Sequence, residues 1–164
     1  MKWFGGNEIE LKSYSGEQLA EKIAEDMYFI DREEIFDYPE FIQNAFFLID
    51  FDAELTIEGI FTVLENSIGQ FMSEIIKAFR AIGDETDAEV LDKISKIVSV
   101  QELREELSDM DLEEYQITSF DECHDLDEES IEKIEALSKQ LYLHSNLDIW
   151  ELLFAYLDRE IHEV

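Results

Sequence analysis

A single proline, Pro39, and six glycines are the only strong helix breakers in 164 residues. A chain so rarely interrupted favours long helices, and its apolar residues recur at intervals of three and four. Ser15 is placed to cap a helix over about 16–30, with Leu19, Ile23, Met27 and Ile30 on one face. Pro39 suits the first turn of a second helix, where its missing N–H costs nothing, with Ile42, Ala45, Phe46 and Ile49 inward. A third, over about 54–66, carries Leu55, Ile60, Val63 and Leu64. The fourth is the most regular: Met72, Ile75, Ile76, Phe79 and Ile82 repeat in phase, and Gly83 is placed to end it. Thr86 or Asp87 can cap a fifth, with Val90, Leu91, Ile94, Ile97 and Val98 inward. A short sixth is expected over about 100–108. Ser130 can cap "IEKIEALSKQLYL", with Ile131, Ile134, Leu137 and Leu141 in phase. The last, over about 147–162, carries Ile149, Leu152, Leu153, Tyr156 and Leu157. No stretch alternates over a strand's length, and there is neither a fixed repeat nor a Pro/Gly/Ser linker. The expectation is one all-α domain, residues 1–164, of about seven to eight helices.

A domain of this length buries about 68–70% of the surface its unfolded chain exposes. Hydrophobic residues make up 46% and aromatics 12%, which separates the chain from disordered acidic sequences poor in aromatics. Cys123 is the only cysteine, so no intrachain disulfide can form. "MKWFGGNEIE" lacks the apolar region of a signal peptide, and "AFFLI" at 45–49 is far short of a membrane span. These features lead us to expect a cytoplasmic protein with no membrane partner.

The charge is extreme. Against 42 Asp and Glu stand 12 Lys and Arg, a formal net charge of −30. A small domain stays soluble with a net charge of roughly 2–8 in magnitude. The excess works against compaction by self-repulsion, repels nucleic acid and anionic membranes, and attracts basic partners. It is densest over residues 102–129, where thirteen acids accompany one base, Arg104. That run lies between two helical stretches, so it reads as a connection inside the domain, held down by Met110, Leu112, Tyr115, Ile117, Phe120 and Leu126. The candidate partner-binding acids there are Glu105, Glu106, Asp109, Asp111, Glu113, Glu114, Asp121, Glu122, Asp125, Asp127, Glu128 and Glu129. Glu17, Glu21 and Glu25, with Asp26, form a second strip on the first helix.

Acid clusters raise the question of a metal. Asp121, Asp125, Asp127 and Glu132 fall at positions one, five, seven and twelve of a calcium-loop count, but Leu126 occupies the place of the sharp-turn glycine. Cys123 and His124 are adjacent, and neighbours in a chain usually point apart, so they make a poor nucleophile–base pair. His144 and His162 show no zinc spacing. There is no phosphate loop and no basic face for nucleic acid. The expectation is a non-enzymatic chain with no metal and no cofactor.

Duplex DNA carries one charge per roughly 1.7 Å of axis. Thirty charges on that scale match about 51 Å, or ~15 base pairs. A compact domain of this length is about 40 Å across, from a radius of gyration near ~15 Å. The charge density is therefore of the order of a DNA-sized footprint. Three uses remain open: a merely solvated acidic surface, imitation of DNA to occupy a basic DNA-binding protein, and an immunity protein neutralising a basic toxin or nuclease.

"IEGIFTVLENSIG" (57–69) resembles a run of the form NGGFxQ(Y/F)FxNSxG in a bacterial family of DNA-mimic proteins, the DMP type. Gly59, Asn66, Ser67 and Gly69 match; Ile57, Glu58, Ile60, Thr62, Val63 and Leu64 depart. "IKAFRAIGDETDAEVL" resembles the family's next helix, with Ala78, Ile82 and Gly83 in place. The resemblance implies an all-α, non-enzymatic protein, a possible homodimer, acting on the DNA-binding surface of a transcription regulator. Asn66 and Ser67 are expected to cap helix ends, and Gly69 to relieve backbone crowding.

Overall fold

The computed structural model describes residues 1–98 and 126–164. Among the described residues there are seven α-helices and no strand. They are α1 (Gly16–Asp26), α2 (Glu40–Glu58), α3 (Ile60–Glu65), α4 (Met72–Ala81), α5 (Glu85–Val98), α6 (Glu128–Ser138) and α7 (Ile149–Glu163). The all-α expectation holds. The helix expected over 100–108, Cys123, His124 and most of the acidic run lie outside the described residues.

Local chemistry explains most helix ends, and several differ from the sequence reading. Ser15 caps α1: its hydroxyl accepts from the Gln18 N–H (3.2 Å), and the Gln18 side chain accepts from the Ser15 N–H (3.0 Å). α1 does not reach residue 30. It stops at Asp26, whose carboxylate sits where the helix carbonyls gather negative potential. Lys22 (2.6 Å) and the Trp3 indole N–H (2.7 Å) hold that carboxylate, and the chain tightens into a 3-10 turn, Met27–Phe29. The second and third expected helices are divided elsewhere than the sequence suggested. α2 runs unbroken to Glu58, and the break falls at Gly59, where φ is +83°. Asp50 and Asp52 lie within it, with side chains bonded to Arg32 and Tyr142.

Gly83 ends α4 as expected, with φ +91° and the Asp84 N–H bonding back to the Phe79 carbonyl (2.9 Å). The cap of α5 is neither Thr86 nor Asp87 but Asp84, whose Oδ1 accepts from the Asp87 N–H (3.1 Å). Asp87 lies three residues too late and falls inside the first turn. The same offset corrects α6: Asp127 is the cap and accepts from the Ser130 N–H (2.7 Å), so Ser130 is the donor. α6 also ends at Ser138, short of Leu141, because the Tyr142 N–H is drawn to Asp87 Oδ1 (3.0 Å). Leu141 and Tyr142 are buried beyond the helix end. Asp148 caps α7.

α2 lies at the centre, with α1, α4 and α7 packed on it. α5 packs on α4, α6 on α5, and α7 on α1. From Phe41 to Phe51 nearly every α2 side chain is buried. Aromatic contacts extend this core outward: Trp3 stacks on Phe4 (4.3 Å), Phe46 meets Phe47 edge-on (5.6 Å), and Phe47 stacks on Phe71 (5.3 Å). Among the described residues no helix is long and apolar enough to cross a membrane.

The α1–α7 contact depends on a missing side chain. A Cβ on Gly16 would stand 2.1 Å from the Phe154 carbonyl oxygen, and the Gly16 N–H donates to Asp158 Oδ1 (2.6 Å). Gly16→Ala should force the two helices apart and cost about 1–3 kcal/mol, as other overpacked contacts do. Urea unfolding checks this, and an unchanged midpoint contradicts the close approach.

Candidate functional site

Ten of the 42 acids and one of the 12 bases fall in residues 99–125, which leaves 32 acids against 11 bases in the described part. Several of those bases are already tied to acids. Lys77 holds Glu40 (2.9 Å), Arg80 holds Glu85 (3.1 Å), Lys96 holds Asp92 (2.8 Å) and Lys133 holds Glu129 (3.2 Å). The surface is therefore acidic over more of its area than the run in 102–129 alone suggests.

Glu17, Glu21 and Glu25 are all exposed. At four-residue spacing they form a row about 6 Å apart along α1, opposite the buried Leu19, Ala20 and Ile23. Asp26 does not extend this row, because Lys22 and Trp3 hold it. Asp127, Glu128 and Glu129 are exposed at the N-terminus of α6. Asp127 also caps that helix, and its hydrogen bonds from the Ser130 side chain and N–H hold its carboxyl below the usual range. Glu129 is partly neutralised by Lys133. α1 rests on α2 and α7, whereas α6 rests on α5, so the two groups occupy different parts of the scaffold. Glu105, Glu106, Asp109, Asp111, Glu113, Glu114, Asp121, Glu122 and Asp125 lie outside the described residues.

The structure adds a third acidic element, residues 27–38. Its two 3-10 turns, Met27–Phe29 and Arg32–Asp37, form a ridge between two open grooves. Tyr28 is 84% exposed and Phe29 68%. A 3-10 turn has three residues per turn, so Met27 can face inward only if its two neighbours face out. Tyr28, Asp31 and Glu33 line one groove of about 360 Å³. Phe29, Glu34 and Asp37 line the other, of about 500 Å³, which Lys2 also borders. The sequence did carry a signal here: four successive apolar residues, 27–30, are too many for the inner face of a helix end.

Arg32 anchors the ridge. Its guanidinium grips Asp50 with two bonds (2.6 and 3.1 Å), donates to the Ser67 hydroxyl and lies 3.7 Å from Glu54. Asn66 donates to Glu54 (2.9 Å). The side chains of Asn66 and Ser67 thus fasten the turn at 67–71 to α2 and the ridge and do not cap helix ends. Gly69 does relieve crowding: a Cβ there would lie 2.7 Å from the Leu64 carbonyl oxygen.

A buried acid pair joins α4, α5 and the turn after α6. Asp84 and Asp87 are 4% and 2% exposed. Burial, then a hydrogen bond to and the charge of Asp84, push the Asp87 carboxyl up from 3.8 to about 8. Tyr142 bonds to the pair through its N–H, and its hydroxyl donates to Asp52 (2.6 Å). The folded chain therefore keeps a proton that the unfolded chain releases above 3.8. Stability from this site is greatest below that value and falls as pH rises towards about 8. Asp87→Asn keeps an oxygen for the Tyr142 N–H and removes the titration. Between about pH 5 and 7, wild-type stability should fall by up to ~1.4 kcal/mol per pH unit more steeply than that of the variant. Parallel pH profiles from urea unfolding contradict this.

The profile of the DMP19-like protein family matches residues 36–160, about three quarters of the chain. The chain belongs to this family. A search of curated proteins and one of solved structures found no match. The matched span begins after α1 and most of the ridge.

Proposed function

We propose that the chain is a non-enzymatic interaction protein that imitates DNA and occupies the DNA-binding surface of a basic protein such as a transcription regulator. The observation that carries this reading is the row of Glu17, Glu21 and Glu25: three exposed carboxylates, evenly spaced on a rigid helix, with no ion pair among the described residues. The helix fixes their separation, and a surface built to neutralise phosphates meets a comparable field. Family membership and the net charge of −30 support the same reading. A partner held this way is recruited by long-range attraction and released by salt.

The test is capture from the lysate of the chain's own cells, with salt elution and competition by duplex DNA. The expected result is a DNA-binding protein that duplex DNA displaces, with affinity falling at least ~10-fold between about 50 and 200 mM salt. Captured proteins indifferent to both DNA and salt count against mimicry. Glu17→Gln, Glu21→Gln and Glu25→Gln together should weaken binding about tenfold at low salt, at the usual scale of exposed ion pairs, with the helical signal intact. Unchanged affinity moves the contact away from α1.

A further inference from the structure

We infer that the ridge at residues 27–38 is a short-range anchor that takes arginine side chains from a basic protein partner. This rests on the reading of the chain as an acidic binder of basic proteins and adds what the charge alone does not supply, a preference among basic groups. The ridge exposes the aromatic rings of two successive residues, Tyr28 at 84% and Phe29 at 68%. Each borders its own groove, and each groove adds two carboxylates, Asp31 and Glu33 beside Tyr28 and Glu34 and Asp37 beside Phe29. An exposed aromatic pair costs solubility unless something covers it. The covering group must tolerate a ring face and satisfy carboxylates. A guanidinium does both, since it stacks flat on aromatic rings and binds carboxylates with two parallel hydrogen bonds. An ammonium, compact and strongly hydrated, stacks less well.

The same charges argue against a second copy of this chain as the occupant. A two-fold contact through Tyr28 and Phe29 would bring Asp31, Glu33, Glu34 and Asp37 of one copy against the same four acids of the other. Of the cations there among the described residues, Arg32 is engaged by Asp50 and Ser67, and Lys2 borders only the groove beside Phe29, so the two cannot balance eight carboxylates. That engagement also holds the ridge to α2, so the rings are presented on a fixed support.

The test uses the full chain and two labelled peptides, nona-arginine and nona-lysine, with fluorescence anisotropy at about 50 and 150 mM salt. The arginine peptide should bind at least ~5-fold more tightly than the lysine peptide. The double variant Tyr28→Ala, Phe29→Ala should lose this preference while keeping the wild-type salt dependence. Ile57→Ala, which alters a side chain 76% exposed outside the ridge, should keep it. Unchanged circular dichroism of the double variant shows that the fold is intact. A preference that survives the double substitution overturns the anchor and leaves the acidic reading standing. Failure of both peptides to bind removes the acidic reading and the anchor together. A wild-type dimer that the double variant dissociates in sedimentation assigns the ridge to self-association and also overturns the proposal.

Discussion

α2 is buried on almost every side through its middle, so each polar side chain along it must find a partner or bear the cost of burial. Three of those that find one reach three different peripheral elements. Asn44 donates to the Tyr156 hydroxyl on α7 (3.0 Å), Asp50 takes the Arg32 guanidinium of the ridge, and Asp52 takes the Tyr142 hydroxyl from the turn after α6. Apolar contact alone tolerates sliding and repacking. These bonds do not, because a shift that breaks one leaves a poorly solvated polar group unpaired. The central helix therefore sets both the core and the places where the outer segments dock.

This arrangement helps a highly charged chain to stay folded. Self-repulsion among 42 acids favours expansion, and exposed ion pairs return roughly 0–1 kcal/mol each. The opposing term is apolar burial, concentrated in one continuous cluster that runs from Trp3 to Ile161. Three of the carboxylates that enter the interior have a specific answer. Asp50 meets a guanidinium and Asp52 a phenol, while Asp87 retains a proton at neutral pH.

The helices were legible because three- and four-residue periodicity is imposed by burial of one face, as with Met72, Ile75, Ile76 and Phe79. Boundaries were legible only where the capping signal was local and unambiguous, as at Ser15 and Gly83. They were misread where two acceptors competed within three residues, Asp84 against Asp87 and Asp127 against Ser130, since either can start a helix and the fold decides which. The division at Gly59 was misread because Leu55, Ile60, Val63 and Leu64 read as one apolar set across the break, so periodicity alone does not show it. The α1 row was legible for the same reason as the helix. The ridge was legible only as an excess of apolar residues at 27–30; which rings face outward was not, because a 3-10 turn has no period long enough to show that in a sequence.

On the reading proposed for this chain, charge and shape divide the work of recognition. A field summed over many carboxylates attracts any basic surface and falls with salt, so it sets rate and range more than identity. Identity needs desolvated contacts at short range, which tend to centre on aromatic and arginine side chains. On the proposed reading the row on α1 serves the first task, its three carboxylates being exposed to water. Tyr28 and Phe29 suit the second, being rings held between grooves by a segment that Arg32 pins to the central helix. Both elements lie ahead of residue 36, where the match to the DMP19-like family begins, whereas the turn at 67–71 that braces the ridge lies within it. The family-matched part thus holds the central helix and the brace, while the α1 row and the two exposed rings lie before it.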